Sequence, residues 1–127
     1  IMERIRSAIS SINHQSSTIK PSVLGHTDLA LGSLKFSGNA QRRKRRYLLF
    51  HGTFLRKFDI EFIEQLLPMP SRQPDYRHNR RHREFLTNLE LSPQQIKAAL
   101  DGAQALVLCK AAGCVDKFLD VLMKVRH

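Results

Sequence analysis

Tryptophan is absent from this 127-residue chain, and acids are scarce, with 11 Asp and Glu against 21 Lys and Arg. Cysteine is nearly absent too. Cys109 and Cys114 stand five apart, without the paired spacing of a zinc site or of a redox Cys-x-x-Cys, and both are expected to be buried small hydrophobes. No apolar run approaches the roughly eighteen residues that a membrane-spanning helix needs, so no membrane association is expected. The N-terminus lacks the charged, apolar and small-residue order of a signal peptide. These absences point to a cytoplasmic protein. The glycines are isolated, and no internal repeat or low-complexity tract is present. The length fits a single domain, or part of one, with a modest core.

What is there follows two periods. Met2, Ile5, Ile9 and Ile12 recur at helical spacing and predict an amphipathic helix over residues 2–13. After Pro21, the segments Asp28 to Leu31 and Leu34 to Ser37 are β-prone and separated by Gly32-Ser33, a glycine-first loop suited to a type II′ hairpin. Tyr47 to Leu55 predicts a third antiparallel strand, adjacent to the second because sequential hairpins pair. Asp59 reads as the N-cap of a short helix over 60–67, with Phe58 and Ile63 placed for a hydrophobic staple and Pro68 as the stop. Three prolines then predict an irregular surface loop over 68–82, placed to act as a lid. Ser92-Pro93-Gln94-Gln95 is a capping box for a helix carrying Ile96, Leu100, Ala103 and Val107. Gly113 is read as its end, and Val115, Phe118, Leu119 and Leu122 predict one more amphipathic helix, making 101–127 a helical segment. The expected class is α+β, with antiparallel hairpins packed against several amphipathic helices.

Charge is concentrated. Residues 35–83 hold thirteen Lys or Arg against four acids, so they supply +9 of the net +10. Arg42-Arg43-Lys44-Arg45-Arg46 dominates this excess. On a regular strand five consecutive side chains alternate faces, so they cannot all reach one ligand, and a solvated loop tip is the plain reading. A basic nucleic-acid-binding module is the functional alternative. Aromatic interleaving is poor for it: Tyr47, Phe50, Tyr76 and Phe85 flank the basic runs without the alternation of a stacking platform.

The chemically suggestive residues are Lys35-Phe36-Ser37-Gly38-Asn39-Ala40-Gln41 and, further on, His51-Gly52-Thr53. They place one cation among small neighbours. Where a reaction builds negative charge on oxygen, a fixed ammonium aimed there stabilises the transition state. Ser37, Gly38 and Ala40 have little bulk, so a nucleotide can approach their backbone. The structural alternative makes Lys35 an edge-strand lysine and Gly38 a bulge. His51 in an apolar strand reads either as a packed core histidine or as part of a site wall, and no metal cluster is expected around it. Asp28 fits a turn, a partner for Lys35, or a carboxylate reaching phosphates through Mg²⁺.

Read in order, Asp28-Leu29, Lys35-x-Ser37-Gly38-x-Ala40, His51-Gly52-Thr53-x-Leu55 and Thr87-Asn88-Leu89 resemble a lipoate-protein ligase of the biotin/lipoate ligase superfamily, over residues 24–100. The resemblance implies an enzyme that activates lipoate with ATP and Mg²⁺ to lipoyl-AMP and passes the acyl group to a lysine. It implies Lys35 as the catalytic residue. Asp28, Ser37, Gly38, Asn39, Ala40, Arg42, His51, Gly52 and Thr53 are then the substrate and adenylate contacts, with Arg42 at the substrate carboxylate. The implied partners are lipoate or octanoate and a lipoyl acceptor domain of a dehydrogenase complex or glycine-cleavage protein.

Two departures qualify that pattern. Thr27 stands where related ligases carry Asn, and the family's upstream arginine- and glycine-rich loop has no counterpart, so the chain resembles the C-terminal half of a catalytic domain and calls for an N-terminal half. A non-catalytic remnant and an octanoyl or lipoyl transferase are the alternatives within the family. The transferase would need a thiol near Lys35, and no cysteine is close to it in sequence.

Overall fold

The computed structural model describes residues 1–14, 17–43, 45, 47–102, 107–110 and 118–126. Helix α1 (Met2–Ser10) buries Ile5, Ala8 and Ile9, the face set by their spacing. The polar stretch after it makes a short ladder, β1 (Asn13–His14) with β2 (Ser17–Thr18). Strands β3 (Pro21–Leu24), β4 (Asp28–Leu31), β5 (Leu34–Arg43) and β6 (Tyr47–Leu55) follow as antiparallel hairpins. Leu31 pairs with Leu34 across Gly32-Ser33, and Gly32 takes φ +58°, the left-handed conformation that a glycine-first turn requires. Helix α2 (Ile60–Leu66) starts at Asp59, whose carboxylate accepts from the Glu61 N–H at 3.0 Å. A 3₁₀ turn (Asp75–Arg77), α3 (His82–Phe85) and α4 (Pro93–Gly102) complete the helical part. At α4 both capping-box bonds form, Gln95 N–H to Ser92 Oγ and Ser92 N–H to Gln95 Oε1. The fold is α+β.

The C-terminal segment overturns the helical expectation. Val107–Lys110 is strand β7 and Phe118–Arg126 is strand β8, where helix was expected. The reason is tertiary. Strand β6 is paired on one side with β5, and its other edge is completed by β8 from Tyr47↔Arg126 to Leu55↔Phe118. An open central edge recruits an apolar, β-branched segment whose local spacing also suits a helix. The sheet order is β3-β4-β5-β6-β8-β7. The expected helix end at Gly113, the side chains of Cys109 and Cys114, and Lys44 and Arg46 of the basic run lie outside what is described.

One face of the sheet is closed. Phe36, Phe50 and Phe54 pack with Ile5 and Ile9 of α1, and Ile96 and Leu100 of α4, in a core that excludes water from these side chains. The rings of Phe36 and Phe54 stack at 6.2 Å. By strand alternation Thr53 and Leu55 point to the opposite face, where α2 and α3 pack less completely.

A bulge decides which face carries Lys35. Ala30 pairs with Lys35 but Leu29 pairs with Ser37, so Phe36 is the extra residue on β5. Phe36 and Ser37 are then both buried, and Lys35 changes sides to share a face with Gly38. Without the bulge, alternation would set Lys35 and Gly38 on opposite faces. The Thr87-Asn88-Leu89 segment fastens this region from beside it. Thr87 N–H donates to Lys35 O at 2.9 Å, Leu89 N–H to Leu55 O at 2.8 Å, and the Asn88 amide bonds both the N–H and the C=O of Phe58 at 2.9 Å.

Candidate functional site

Among the described residues, Lys35 alone lines both of two adjoining cavities. On one side is an apolar cavity of about 520 Å³, walled by Phe58, Phe62, Ile63, Leu66, Phe85 and Leu86, with Ser37, Gly38 and Thr53 on its strand wall. On the other is a polar cleft of about 890 Å³, with His26, Asp28, Arg72, Asp75 and Tyr76. The first volume is within the range of small-ligand sites.

The ammonium is held in place. Lys35 Nζ lies 2.8 Å from Asp28 Oδ1, and the Tyr76 hydroxyl donates to Asp28 Oδ2 at 2.7 Å. Burial, followed by this hydrogen bond and the Asp28 charge, pushes the Tyr76 phenol well above its ordinary pKa, so Tyr76 stays a donor. A Cβ on Gly38 would stand 3.3 Å from Lys35 Cε and Nζ, so the smallness of Gly38 makes room for the lysine.

The other small residue serves a different purpose. At Gly52 the space of a side chain is filled by the cross-strand Asn39 amide, whose Oδ1 is buried without a hydrogen-bond partner among the described residues. Asn39 Nδ2 donates to Thr27 O at 2.6 Å and to Ser37 Oγ at 3.2 Å, while Thr27 Oγ1 donates to Asn39 O at 2.6 Å. The Thr27 hydroxyl is therefore engaged in clamping the turn before β4 onto β5. Asn39 and Gly52 are thereby an interlocked pair beside the site, and Ser37 is bound into it.

The structure brings Lys35, Asp28, Ser37, Gly38 and Thr53 to the cavity walls. Ala40, Arg42 and His51 line neither cavity. Ala40 and His51 are exposed cross-strand partners, and Arg42 is exposed opposite Leu49 towards the hairpin tip. Among the described residues no cluster of three His, Cys, Asp or Glu gathers around a point, and no helix is long and apolar enough to cross a membrane.

Several wall residues were not singled out in sequence. Arg77 and His82 are buried at the apolar cavity, and Tyr76 fixes Asp28. The segment that carries them is anchored. Arg80 donates to Ser33 O at 3.0 Å, Tyr76 O at 2.9 Å and Arg77 O at 3.1 Å, and its guanidinium and that of Arg77 both lie over the Phe85 ring. Only one signal pointed this way: an aromatic residue, Tyr76, in a charged stretch where a solvated loop has no use for one.

No solved structure matches the chain. The curated protein "Inactive lipoate--protein ligase 2" of Plasmodium falciparum (isolate 3D7) is 37% identical over 57 residues, a match covering 45% of this chain and 15% of that protein's length. The family described as lipoyl protein ligase A/B catalytic domain matches residues 2–102, from α1 through α4 and across every wall of the two cavities. The chain belongs to that family.

Proposed function

We propose that this chain takes part in activating lipoate, or the related octanoate, with ATP and in transferring the acyl group to a lysine of an acceptor domain. The observation that carries this reading is Lys35 on the shared wall of an apolar cavity and a polar cleft. Lipoyl-AMP has the same division, a hydrocarbon chain joined to a charged nucleotide. With the acyl chain in the apolar cavity and the phosphates at the cleft, the mixed anhydride forms beside Nζ.

In the first step a carboxylate oxygen attacks the α-phosphorus, the bond to pyrophosphate breaks, and acyl-AMP forms. Lys35 offsets the charge that builds on the phosphate oxygens. Asp28 and Tyr76 position the ammonium, so little reorganisation accompanies the reaction. In the second step the acceptor lysine attacks the acyl carbonyl, an amide forms and AMP leaves. Of the cleft's two carboxylates, Asp28 has one oxygen on Lys35 and the other on Tyr76, so Asp75 is the residue that would hold Mg²⁺ together with the phosphates, where the ion would supply charge neutralisation.

A second reading is a non-catalytic ligand-binding member of the family, favoured by the word "Inactive" in the relative's name. Lipoate-dependent exchange of pyrophosphate into ATP, measured beside calorimetric lipoate binding, separates the two. Exchange with binding is expected. Binding without exchange establishes the second reading, and neither one sinks both.

A further inference from the structure

On the wall shared with the cleft, Lys35 is ion-paired with Asp28 at 2.8 Å. Arg77, on the apolar cavity, is in a different situation. Its side chain is buried, with the residue only 5% exposed, and none of its hydrogen bonds goes to a carboxylate. Nε donates to Arg80 O at 3.0 Å, and Nη2 reaches Met69 Sδ at 3.5 Å and His82 Nδ1 at 3.4 Å. Nη1 has no hydrogen-bond partner among the described residues. Glu64 is the acid whose charge Arg77 feels, but its carboxylate faces the Arg83 N–H at 3.3 Å and Arg81 Nε at 4.0 Å.

The surroundings suit an incoming anion. A guanidinium has no acceptor, so His82 Nδ1 accepts from Arg77, which assigns the ring proton to Nε2, 3.4 Å from Pro68 O. The guanidinium lies 4.7 Å over the Phe85 ring, which orients it without neutralising it. Nη1 is neither hydrogen-bonded to a described residue nor sealed from solvent, so the guanidinium keeps a face open to an oxyanion, and its fork matches a carboxylate in two-point geometry.

We propose that Arg77 is the carboxylate anchor of the apolar cavity, receiving the head of a medium-chain fatty acid whose hydrocarbon lies against Phe58, Phe62, Leu66 and Phe85. The fatty-acid class rests on the reading under Proposed function, whereas the anion site rests on Arg77. This gives Arg77 the contact that sequence resemblance implied for Arg42, which is exposed on the hairpin.

The test follows the Arg77 Nε–H signal by nuclear magnetic resonance while sodium octanoate, methyl octanoate or AMP is added. Octanoate is expected to shift the signal saturably, with the ester binding about tenfold or more weakly, the scale of a charge-assisted two-point contact. Arg77→Lys is expected to weaken octanoate by a similar factor and leave the ester unchanged, a selectivity that collapse of the pocket would not produce. If that variant fails to fold, the wild-type comparison of acid and ester still decides. Equal binding of acid and ester, or a signal that responds to AMP and not to octanoate, overturns the anchor. Pyrophosphate exchange that is absent while octanoate shows the Arg77 selectivity refutes ATP activation and supports the anchor. Exchange accompanied by octanoate binding indifferent to Arg77→Lys does the reverse.

Discussion

The two faces of the central sheet are built to different degrees of completion. On the face covered by α1 and α4, Ile9, Phe36, Ile96 and Leu100 are fully buried. On the face under α2, Phe62 is 51% exposed and Leu66 63%, and the cavity that Lys35 and Arg77 line lies among them. Apolar surface left unburied beside two cations is wasteful for stability, and it is what a site for an amphipathic molecule requires. The closed face holds the strands in register; the open face uses that register, through one bulge, to present Lys35.

This contrast can be broken by substitution, beginning with the largest effect. Phe54→Ala should cost about 3–5 kcal/mol, the range for emptying a packed aromatic site, read from urea unfolding. Gly52→Ala should cost about 1–3 kcal/mol, since the new methyl meets an Asn39 amide pinned by Thr27 and Ser37. Asn88→Ala loses two hydrogen bonds to the Phe58 backbone and should cost about 1–3 kcal/mol, in the same unfolding experiment. Leu66→Ser, on the open face, should change stability by no more than about 0.5 kcal/mol. A cost for Leu66→Ser approaching that of Phe54→Ala would erase the distinction between the faces.

A titration sharpens the comparison at the site itself. The Tyr76 pKa is raised in the folded protein, so its contribution to stability is fully present below the ordinary value of 10.0 and is lost as pH rises through the folded value. Phenolate absorbance in alkali should therefore show a tyrosine ionising well above pH 10.0 that Tyr76→Phe removes. If that substitution left the late step in place, the Tyr76–Asp28 contact would be wrong.

How much was legible in the sequence depended on whether the cause was local. The Asp59 cap, the Ser92-to-Gln95 capping box, the Gly32-Ser33 turn and the strand from Tyr47 to Leu55 rest on neighbouring residues, and each formed as read. The segment from Phe118 onward did not. Its spacing suits a helix face, and only the free edge of β6, some sixty residues earlier, selects the strand. The same holds within the site. Lys35, Gly38 and Thr53 were visible as a motif, but the bulge at Phe36 that gathers them is set by pairing with Leu29 and Ala30. Arg77 and His82 carry no local periodicity; their burial comes from packing of the 68–85 segment onto α2 and β5.

Lys35→Ala, assayed for lipoate-dependent pyrophosphate exchange into ATP with lipoate binding followed in parallel, puts the central claim to its most direct test. Exchange should fall by about a hundredfold or more, the scale for removing a preorganised charge from a phosphoryl transition state, with lipoate still bound. Exchange at the wild-type rate would contradict it.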